Sequence, residues 1–159
     1  MARPVKWRKV SFVPTVKYFT PSMENGDHII ETILKVEELE ALRLKDYDGL
    51  DQDECAQKME VSRATFQKIL NAAREKVANG LIRGTAIRIE GGSFTEHICH
   101  IECKNCGKTW TESCEIMRTY KDEEIVCMEC GSDQIRCTKN CSGRNGNKKC
   151  QRYGRKSDL

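Results

Sequence analysis

The chain has 159 residues, of which 38% are hydrophobic and 32% are charged, with ten cysteines and a net charge of +3. This composition argues against one large core and allows two small domains. No apolar run reaches about 18 residues, and no signal peptide is apparent, so we expect a cytoplasmic protein that does not cross a membrane and whose cysteines bind metal.

The basic residues are concentrated in three segments. Residues 1–20 carry five basic and no acidic side chains, residues 61–90 carry six and two, and residues 136–159 carry eight and one. In a DNA complex these segments would contact the phosphate backbone. A basic terminus can also serve only as a solubilising end, so the distribution supports DNA binding without establishing it.

Residues 1–24 contain all three prolines, each of which disfavours helix at the preceding position, and they predict an extended basic arm. Arg3, Lys6 and Arg8 are candidate contacts to the backbone or the minor groove. A disordered terminus fits the same residues equally well. The side chains expected to attach the arm to the body are Trp7, Phe12, Val13, Tyr18 and Phe19.

A helical segment is predicted within residues 28–46, clearest from Val36 to Lys45, where apolar residues recur at three-residue spacing. Its glutamates lie early in the helix, where the helix dipole favours them. A turn at 46–49 separates it from a helix pair. We expect the second helix of that pair to end near Asn79-Gly80, residues 81–90 to form a strand or extended wing, and residues 91–92 to mark a domain boundary.

The helix pair is predicted from residues 50–70, with Ser62 as the N-cap of its second helix. The pattern is typical of a helix-turn-helix, whose second helix enters the DNA major groove. The turn commonly carries Gly because its backbone is left-handed, whereas this chain has Glu60. An ordinary helical hairpin shares the spacing. The apolar positions are Ala56, Met59, Val61, Phe66 and Ile69.

Four separated blocks resemble one family: residues 1–8 (Met-Ala-Arg-Pro-Val-Lys-Trp-Arg), 36–46 (Val-Glu-Glu-Leu-Glu-Ala-Leu-Arg-Leu-Lys-Asp), 61–67 (Val-Ser-Arg-Ala-Thr-Phe-Gln) and 87–92 (Ile-Arg-Ile-Glu-Gly-Gly). This is uncharacterised protein family 0251, or domain of unknown function 134. Its members are predicted DNA-binding proteins whose helix-turn-helix is similar to region four of sigma-70 factors. The resemblance covers residues 1–92 and implies a small helical DNA-binding domain without a known target. Residues 93–159 are expected to lie outside the family's common core.

The resemblance implies that the second helix presents polar side chains to DNA. Arg63 or Lys68 would donate to guanine, Gln67 would bind adenine, and the residues one and two turns later would meet phosphate. A plain solvated face is the alternative for each residue. The candidate DNA contacts on this helix are Ser62, Arg63, Thr65, Gln67, Lys68, Asn71 and Arg74.

The second half contains two Cys-x2-Cys pairs separated by twenty residues, each followed by Gly. Four thiolates in this arrangement can surround one zinc ion tetrahedrally, so the pairs resemble a zinc ribbon with a structural ion. An iron–sulfur cluster fits the same ligands, but hairpin-like flanks at 98–102, 109–112 and 125–126, with a core from Trp110 and Ile116, favour zinc. The metal ligands would be Cys103, Cys106, Cys127 and Cys130.

The other cysteines leave several interpretations open. Cys137, Cys141 and Cys150 could form a second metal site with Cys99, Cys114, His97 or His100. They could also be redox-active or unpaired thiols. Cys55 lies inside the first helix of the pair and is predicted to be a small core residue.

An enzyme is not expected. His100-x-Glu102 with Cys127-x2-Cys130 superficially resembles a zinc deaminase signature, but Val126 stands where that signature has Pro. Cys103 follows Glu102 at once and leaves no room for the required helix. The deaminase interpretation also leaves the first Cys pair unexplained.

The sequence therefore predicts a mainly α helix-turn-helix domain and a small β zinc-ribbon-like module. The predicted segments are an arm (1–24), the helical domain (25–92), the ribbon (93–135) and a basic tail (136–159). The predicted function is sequence-specific binding of double-stranded DNA, as a transcriptional regulator with zinc as cofactor. RNA polymerase or another protein is a candidate partner of the ribbon, and a homodimer is compatible with paired half-sites. The alternative is a metal- or redox-responsive adaptor that binds a protein partner through its Cys-rich half.

Overall fold

A computed structural model of the protein describes residues 6–22, 30–119 and 125–138. The chain forms two compact units, one from Arg8 to Phe94 and the other from the described residues outside that range. None of the helices in the described part of the chain combines the length and apolar content that crossing a membrane would need.

The unit from Arg8 to Phe94 has a helical middle region framed by strands, so it is mixed rather than mainly helical as predicted. A five-residue π-helical segment, Arg43–Tyr47, continues the first helix. The elements are β1 (Arg8–Lys9), β2 (Tyr18–Phe19), β3 (Glu31–Leu34), α1 (Val36–Leu42), α2 (Gln52–Lys58), α3 (Arg63–Arg83) and β4 (Ala86–Ile89).

The strands join distant parts of the sequence. β4 is central in a three-stranded sheet, antiparallel to β2 and parallel to β3. In the parallel pair Leu34 lies opposite Ile89, and both are buried in the core under α1 and α3. The predicted strand within residues 81–90 is thus the centre of a sheet rather than a free wing.

Of the side chains predicted to attach the arm to this unit, Val13 packs against the core as predicted, and Val10, which the sequence did not identify, also anchors the arm. Val10 is fully buried, and the Lys9 amide donates to the Met59 carbonyl at 2.9 Å. Phe12, Tyr18 and Phe19 remain about half exposed in the structure. The sequence could not identify Val10 because a single valine among basic residues carries no periodic signal.

Three glutamates of α1, Glu37, Glu38 and Glu40, are buried, although charged side chains are mostly exposed in proteins. Each has a specific partner within the unit. Glu38 binds Lys76 of α3 at 2.7 Å, Glu40 binds Arg43 at 2.9 Å, and Glu37 accepts the Ser93 amide at 3.2 Å. Buried carboxylates need such partners because removing a charge from water is costly.

The helices α2 and α3 are joined by a tight turn. Asp51 caps α2 by accepting the Glu54 amide at 2.8 Å, and Ser62 caps α3 by accepting the Thr65 amide at 3.2 Å. Between the helices, Glu60 has φ 53°. In the described part of the chain it is the only non-glycine residue with a positive φ. The left-handed turn expected at this position is therefore present. The core beneath the turn contains Leu44, Cys55, Ala56, Met59, Phe66 and Leu70.

Helix α3 is one turn longer than predicted. It ends at Arg83, and Gly84 with φ 65° forms its left-handed C-cap. Gly80 stays inside the helix and is buried against Ile87 of β4, where an added Cβ would lie 2.9 Å from the isoleucine side chain. The sequence suggested a helix stop at Gly80, but the glycine instead allows close packing of helix on sheet.

The second unit is a small three-stranded antiparallel sheet, whose central strand is the first of the three in sequence. Its core contains Ile101, Met117 and Ile135, with Trp110 packed against it. The sequence predicts a strand at residues 125–126, but the structure has none there. The third strand begins ten residues later, at Ile135. The elements are β6 (Ile98–Cys103), β7 (Thr109–Ser113), α4 (Cys114–Thr119) and β8 (Ile135–Cys137), with the two-residue β5 (Phe94–Thr95) at the boundary between the units.

Candidate functional site

The two Cys-x2-Cys pairs form matching turns in the second unit. Cys103 ends β6, and its carbonyl accepts the Gly107 amide at 2.9 Å. The Cys127 carbonyl accepts the Gly131 amide at 2.8 Å in the same way. Both glycines have φ near 70°, a conformation that is strained for other residues, so each turn depends on its glycine.

The turns bring four sulfur atoms together, each within 4.8 Å of the others. The Sγ atoms of Cys103 and Cys130 are 3.6 Å apart, as are those of Cys106 and Cys127. Zinc–sulfur bonds of about 2.3 Å at tetrahedral angles place neighbouring sulfurs about 3.8 Å apart. The cluster could therefore bind a metal ion such as zinc with little rearrangement.

The surroundings of the thiols favour ionisation at one side of the cluster. A hydrogen bond from the Asn105 amide nitrogen, aided by the Ser132 amide, lowers the pKa of Cys130 to about 6. A hydrogen bond from the Lys108 amide lowers the pKa of Cys106, but burial and the neighbouring thiols outweigh it and raise the pKa to about 12. A bound cation would ionise all four thiols and release protons.

Cys99 and Cys114 form a disulfide with a Cα–Cα distance of 5.3 Å, linking β6 to the start of α4. The expectation that the cysteines bind metal rather than form disulfides is wrong for this pair. Neither sulfur can then serve as a thiolate ligand of a second metal site. Cys137 lies on β8, whereas Cys141 and Cys150 lie outside the described residues. Cys55 is fully buried in the core beneath the helix pair, as predicted.

A second group of possible ligands lies in the same unit. Donor atoms of Glu96, His97 and Glu115 lie within 4.8 Å of one another. Two hydroxyl groups, from Thr95 and Ser113, donate to the Glu115 carboxylate. Burial raises the pKa of Glu115, but these hydrogen bonds outweigh it and leave the pKa below its usual value.

The N-terminal half of α3 presents the predicted polar side chains while its apolar side is buried. Arg63, Lys68 and Asn71 are exposed, Thr65 and Gln67 are half-buried, and Phe66 is fully buried. Arg63, Gln67 and Asn71 share one side of the helix at four-residue spacing, and together with their polar neighbours they form a polar surface. We call this surface the α3 polar face; it consists of Ser62, Arg63, Thr65, Gln67, Lys68 and Asn71.

Arg74 has a closer ion pair than Arg63, whose guanidinium lies 3.5 Å from the Asp53 carboxylate. The Arg74 guanidinium forms a two-pronged ion pair with Asp46, at 2.6 and 3.1 Å. The hydrogen bond from Arg74 lowers the pKa of Asp46, so the pair is ionised at neutral pH. Arg74 is therefore held within the protein and would have to leave Asp46 to meet a phosphate.

The candidates on the arm are distributed unevenly. Lys6 is exposed, Arg8 is half-buried on β1 with its amide donating to Ser93 at 3.0 Å, and Arg3 lies outside the described residues. The sequence did not point to Gln52, the first residue of α2. Gln52 donates to Gln67 at 2.6 Å, so it belongs to the same polar surface. Gln52 and Gln67 are fifteen residues apart, a separation that does not place two side chains side by side on one helix. Only the folding of the helix pair brings the two amides together.

Comparison with known proteins defines the family. The family model described as "Protein of unknown function DUF134" matches residues 1–97. A UPF0251 protein of Clostridium botulinum (strain 657 / Type Ba4) is 44% identical over 152 residues, covering 91% of this chain and 93% of the relative. A UPF0251 protein of Clostridium tetani (strain Massachusetts / E88) is 49% identical over 139 residues, covering 87% and 90%. No solved structure matches the chain significantly.

The chain belongs to the UPF0251 (DUF134) family, as its sequence blocks indicated. The family model ends at residue 97, yet alignments of 139 and 152 residues extend far beyond it. The end of the family model agrees with the expectation that residues 93–159 lie outside the family's common core, although much of the Cys-rich half aligns with these relatives.

Proposed function

We propose that this protein binds double-stranded DNA sequence-specifically and regulates transcription. In this proposal α2, the turn at Glu60 and α3 act as a helix-turn-helix, with α3 in the major groove. The observation that carries the proposal is the α3 polar face, which leaves a capped, rigid helix with its donors and acceptors towards solvent while Phe66 is buried beneath.

The basic segments would supply the salt-dependent part of the affinity. Lys6 of the arm and Lys68 of α3 are exposed and can approach phosphates, which would hold the helix in register without reading sequence. Arg63, Gln67 and Thr65 would then contact base edges. The proposal includes no catalytic reaction, and it treats a homodimer as one way to bind paired half-sites.

The proposal predicts a separation between specific and non-specific binding. Arg63→Ala or Gln67→Ala should weaken binding to a selected DNA site by about tenfold or more, because each base contact is worth about 1–3 kcal/mol. Binding to scrambled DNA should fall much less. Arg83→Ala is the matched control, since Arg83 is exposed at the opposite end of the same helix. Equal losses on both DNAs for all three variants would contradict base reading by the α3 polar face.

The four-cysteine cluster is assigned a structural zinc ion in this proposal, which makes the second unit a zinc ribbon. The fit of its sulfur separations to a tetrahedral zinc ion supports this assignment. RNA polymerase or another protein of the transcription machinery is the proposed partner of the ribbon. Iron–sulfur content would be recognised by visible absorption of the purified protein.

One observation favours a second candidate, a redox-responsive adaptor that binds a protein partner. The Cys99–Cys114 disulfide links two elements of the unit that carries the metal cluster, so its reduction would loosen that unit. Binding of a partner that changes between reduced and oxidised protein would support the adaptor. If Cys99→Ser instead leaves sequence-specific DNA binding unchanged, this result would support the proposed DNA-binding function.

A further inference from the structure

Four side chains of the helix pair form a continuous chain of hydrogen bonds. Arg63 Nε donates to Gln52 Oε1 at 3.3 Å, and Gln52 Nε2 donates to Gln67 Oε1 at 2.6 Å. Gln67 Nε2 then donates to Asn71 Oδ1 at 2.8 Å. We call this the amide chain. It runs from the start of α2 across to α3 and continues along the α3 polar face.

The direction of the amide chain is set at its first member. A guanidinium has only donors, so of the two polar atoms of the Gln52 amide only the oxygen can accept from Arg63, whose other nitrogen donates to Asp53 at 3.5 Å. The nitrogen of Gln52 must then face Gln67, which turns the Gln67 oxygen towards Gln52 and its nitrogen towards Asn71. The amide of Gln67 is therefore held in one of its two orientations, whereas an isolated glutamine could flip freely.

The remaining hydrogen-bonding capacity of Gln67 is specific. An amide oxygen has two lone pairs and an amide nitrogen has two hydrogens, and the amide chain uses one of each. One acceptor and one donor remain. Adenine presents the complementary N6 donor and N7 acceptor in the major groove, whereas guanine presents two acceptors there.

Gln52 is well placed to hold this orientation. It is the first residue of α2, and Asp51 fixes its backbone by capping the helix through Glu54. Its side chain is half-buried and reaches α3, where it contacts Gln67. A residue in this position would act through Gln67 rather than touch the base itself.

We propose that Gln52 is a positioning residue, which fixes the amide of Gln67 so that the helix pair reads one adenine and rejects guanine at that base pair. This inference rests on the proposed function, since it assumes that α3 enters the major groove. It adds to that function the identity of one recognised base, adenine. It also adds a residue outside α3, Gln52, that determines this preference.

The test compares full-length, metal-loaded variants by selection from a random DNA pool, reading the preference at every position of the enriched site. Gln67→Ala should remove an adenine preference at one position. Gln52→Ala should reduce the preference for adenine over guanine at the same position by about tenfold, while other positions keep their preferences. Gln57→Ala is the matched control, because Gln57 is an exposed glutamine on the same helix.

A second variant tests orientation rather than contact. Gln52→Glu keeps a partner for Arg63 but has only acceptors, so Gln67 must turn its nitrogen towards residue 52. The adenine preference should then fall, while Gln57→Glu, which adds the same charge, should leave it intact. Circular dichroism checks that both variants fold as the unaltered protein does.

The outcomes separate this inference from the proposed function. If the unaltered protein enriches no site, the proposed function fails, and the inference fails with it. If the protein enriches a site whose preferences are unchanged by Gln52→Ala and Gln52→Glu, only the positioning role of Gln52 is refuted. A uniform loss at all positions would also refute it, because it would indicate a merely structural role.

Discussion

Glu60 is held in a conformation that suits glycine better. Its φ of 53° lies in the left-handed region, which costs a non-glycine residue about 1–2 kcal/mol. The side chain offsets part of this cost, since its carboxylate lies 3.7 Å from Lys9 Nζ. The turn between α2 and α3 therefore retains strain that a single substitution can release.

We expect Glu60→Gly to raise the free energy of unfolding by about 0.5–1 kcal/mol, because relief of the strain exceeds the added flexibility of the unfolded chain. Gly84→Ala provides the opposite control. Gly84 has φ 65° and open space around it, so alanine there meets strain without a clash and should lower stability by about 1 kcal/mol. Urea denaturation measures both changes. A destabilised Glu60→Gly protein would show that the Lys9 contact outweighs the backbone strain.

Gly92 allows the Glu37 carboxylate to lie directly against the backbone. A Cβ there would overlap Glu37 Oε2, and Gly92 has φ 103°. Glu37 is buried, and its other oxygen accepts the Ser93 amide. The Glu-Glu and Gly-Gly blocks that identified the family thus meet at one point of the fold.

Gly92→Ala should lower the free energy of unfolding by about 3 kcal/mol, because it displaces a buried carboxylate and strains the backbone. Gly91→Ala is the matched control. Gly91 has φ 70° with nothing near the added methyl, so only about 1 kcal/mol of strain is expected. Equal losses in urea denaturation would mean that the contact with Glu37 has no energetic importance.

At the scale of elements, α1 and α3 are joined by a buried ion pair. Lys76 Nζ contacts both carboxylate oxygens of Glu38, at 2.8 and 2.7 Å, and Glu38 is almost fully buried. Removing the lysine would leave the carboxylate without its cation in a poorly solvated position.

We expect Lys76→Ala to lower the free energy of unfolding by about 2 kcal/mol, since Lys76 itself is partly exposed and part of the charge remains solvated. Lys68→Ala, at an exposed position of the same helix, should change stability by less than about 0.5 kcal/mol. The midpoint of urea unfolding gives both values. If the two lysines prove equivalent, the buried pair does not stabilise the helix packing.

The elements that depend on local sequence were predictable, and those that depend on distant contacts were not. Ser62 and the apolar positions of α3 carry local signals, and so do the spaced cysteines and the left-handed turn at Glu60. The sheet formed by β2, β3 and β4 depends on pairing between residues near 18, 33 and 88, which no local pattern encodes. The same limit hid Gln52, whose partner lies fifteen residues away on another helix.

At the scale of the whole molecule, the chain combines a unit with its own apolar cores and a unit with a smaller core beside the four-cysteine cluster. Small cores rarely supply enough stability alone, so a metal ion and a disulfide are expected to support the second unit. We expect the first unit to fold without the metal ion, because its described cores contain Phe66, Leu70 and Leu34 and none of the four clustered cysteines.

Removal of zinc should therefore unfold one unit selectively. With a strong chelator, amide hydrogen exchange should accelerate in β6, β7 and β8 while α1 and α3 keep their protection. Cys130→Ser should have the same effect, and Cys137→Ser, on β8 but outside the four-cysteine cluster, should retain one zinc per chain. Exchange that is unchanged by chelation would contradict a structural role for the ion.

The central claim is that the α3 polar face reads a DNA sequence, and selection from a random double-stranded pool at physiological salt tests it most directly. The account predicts an enriched motif containing an adenine that depends on Gln67, with symmetry that reports a monomer or a dimer. Retention of DNA that disappears with added salt and enriches no motif would contradict the claim, and would favour the adaptor that binds a protein partner.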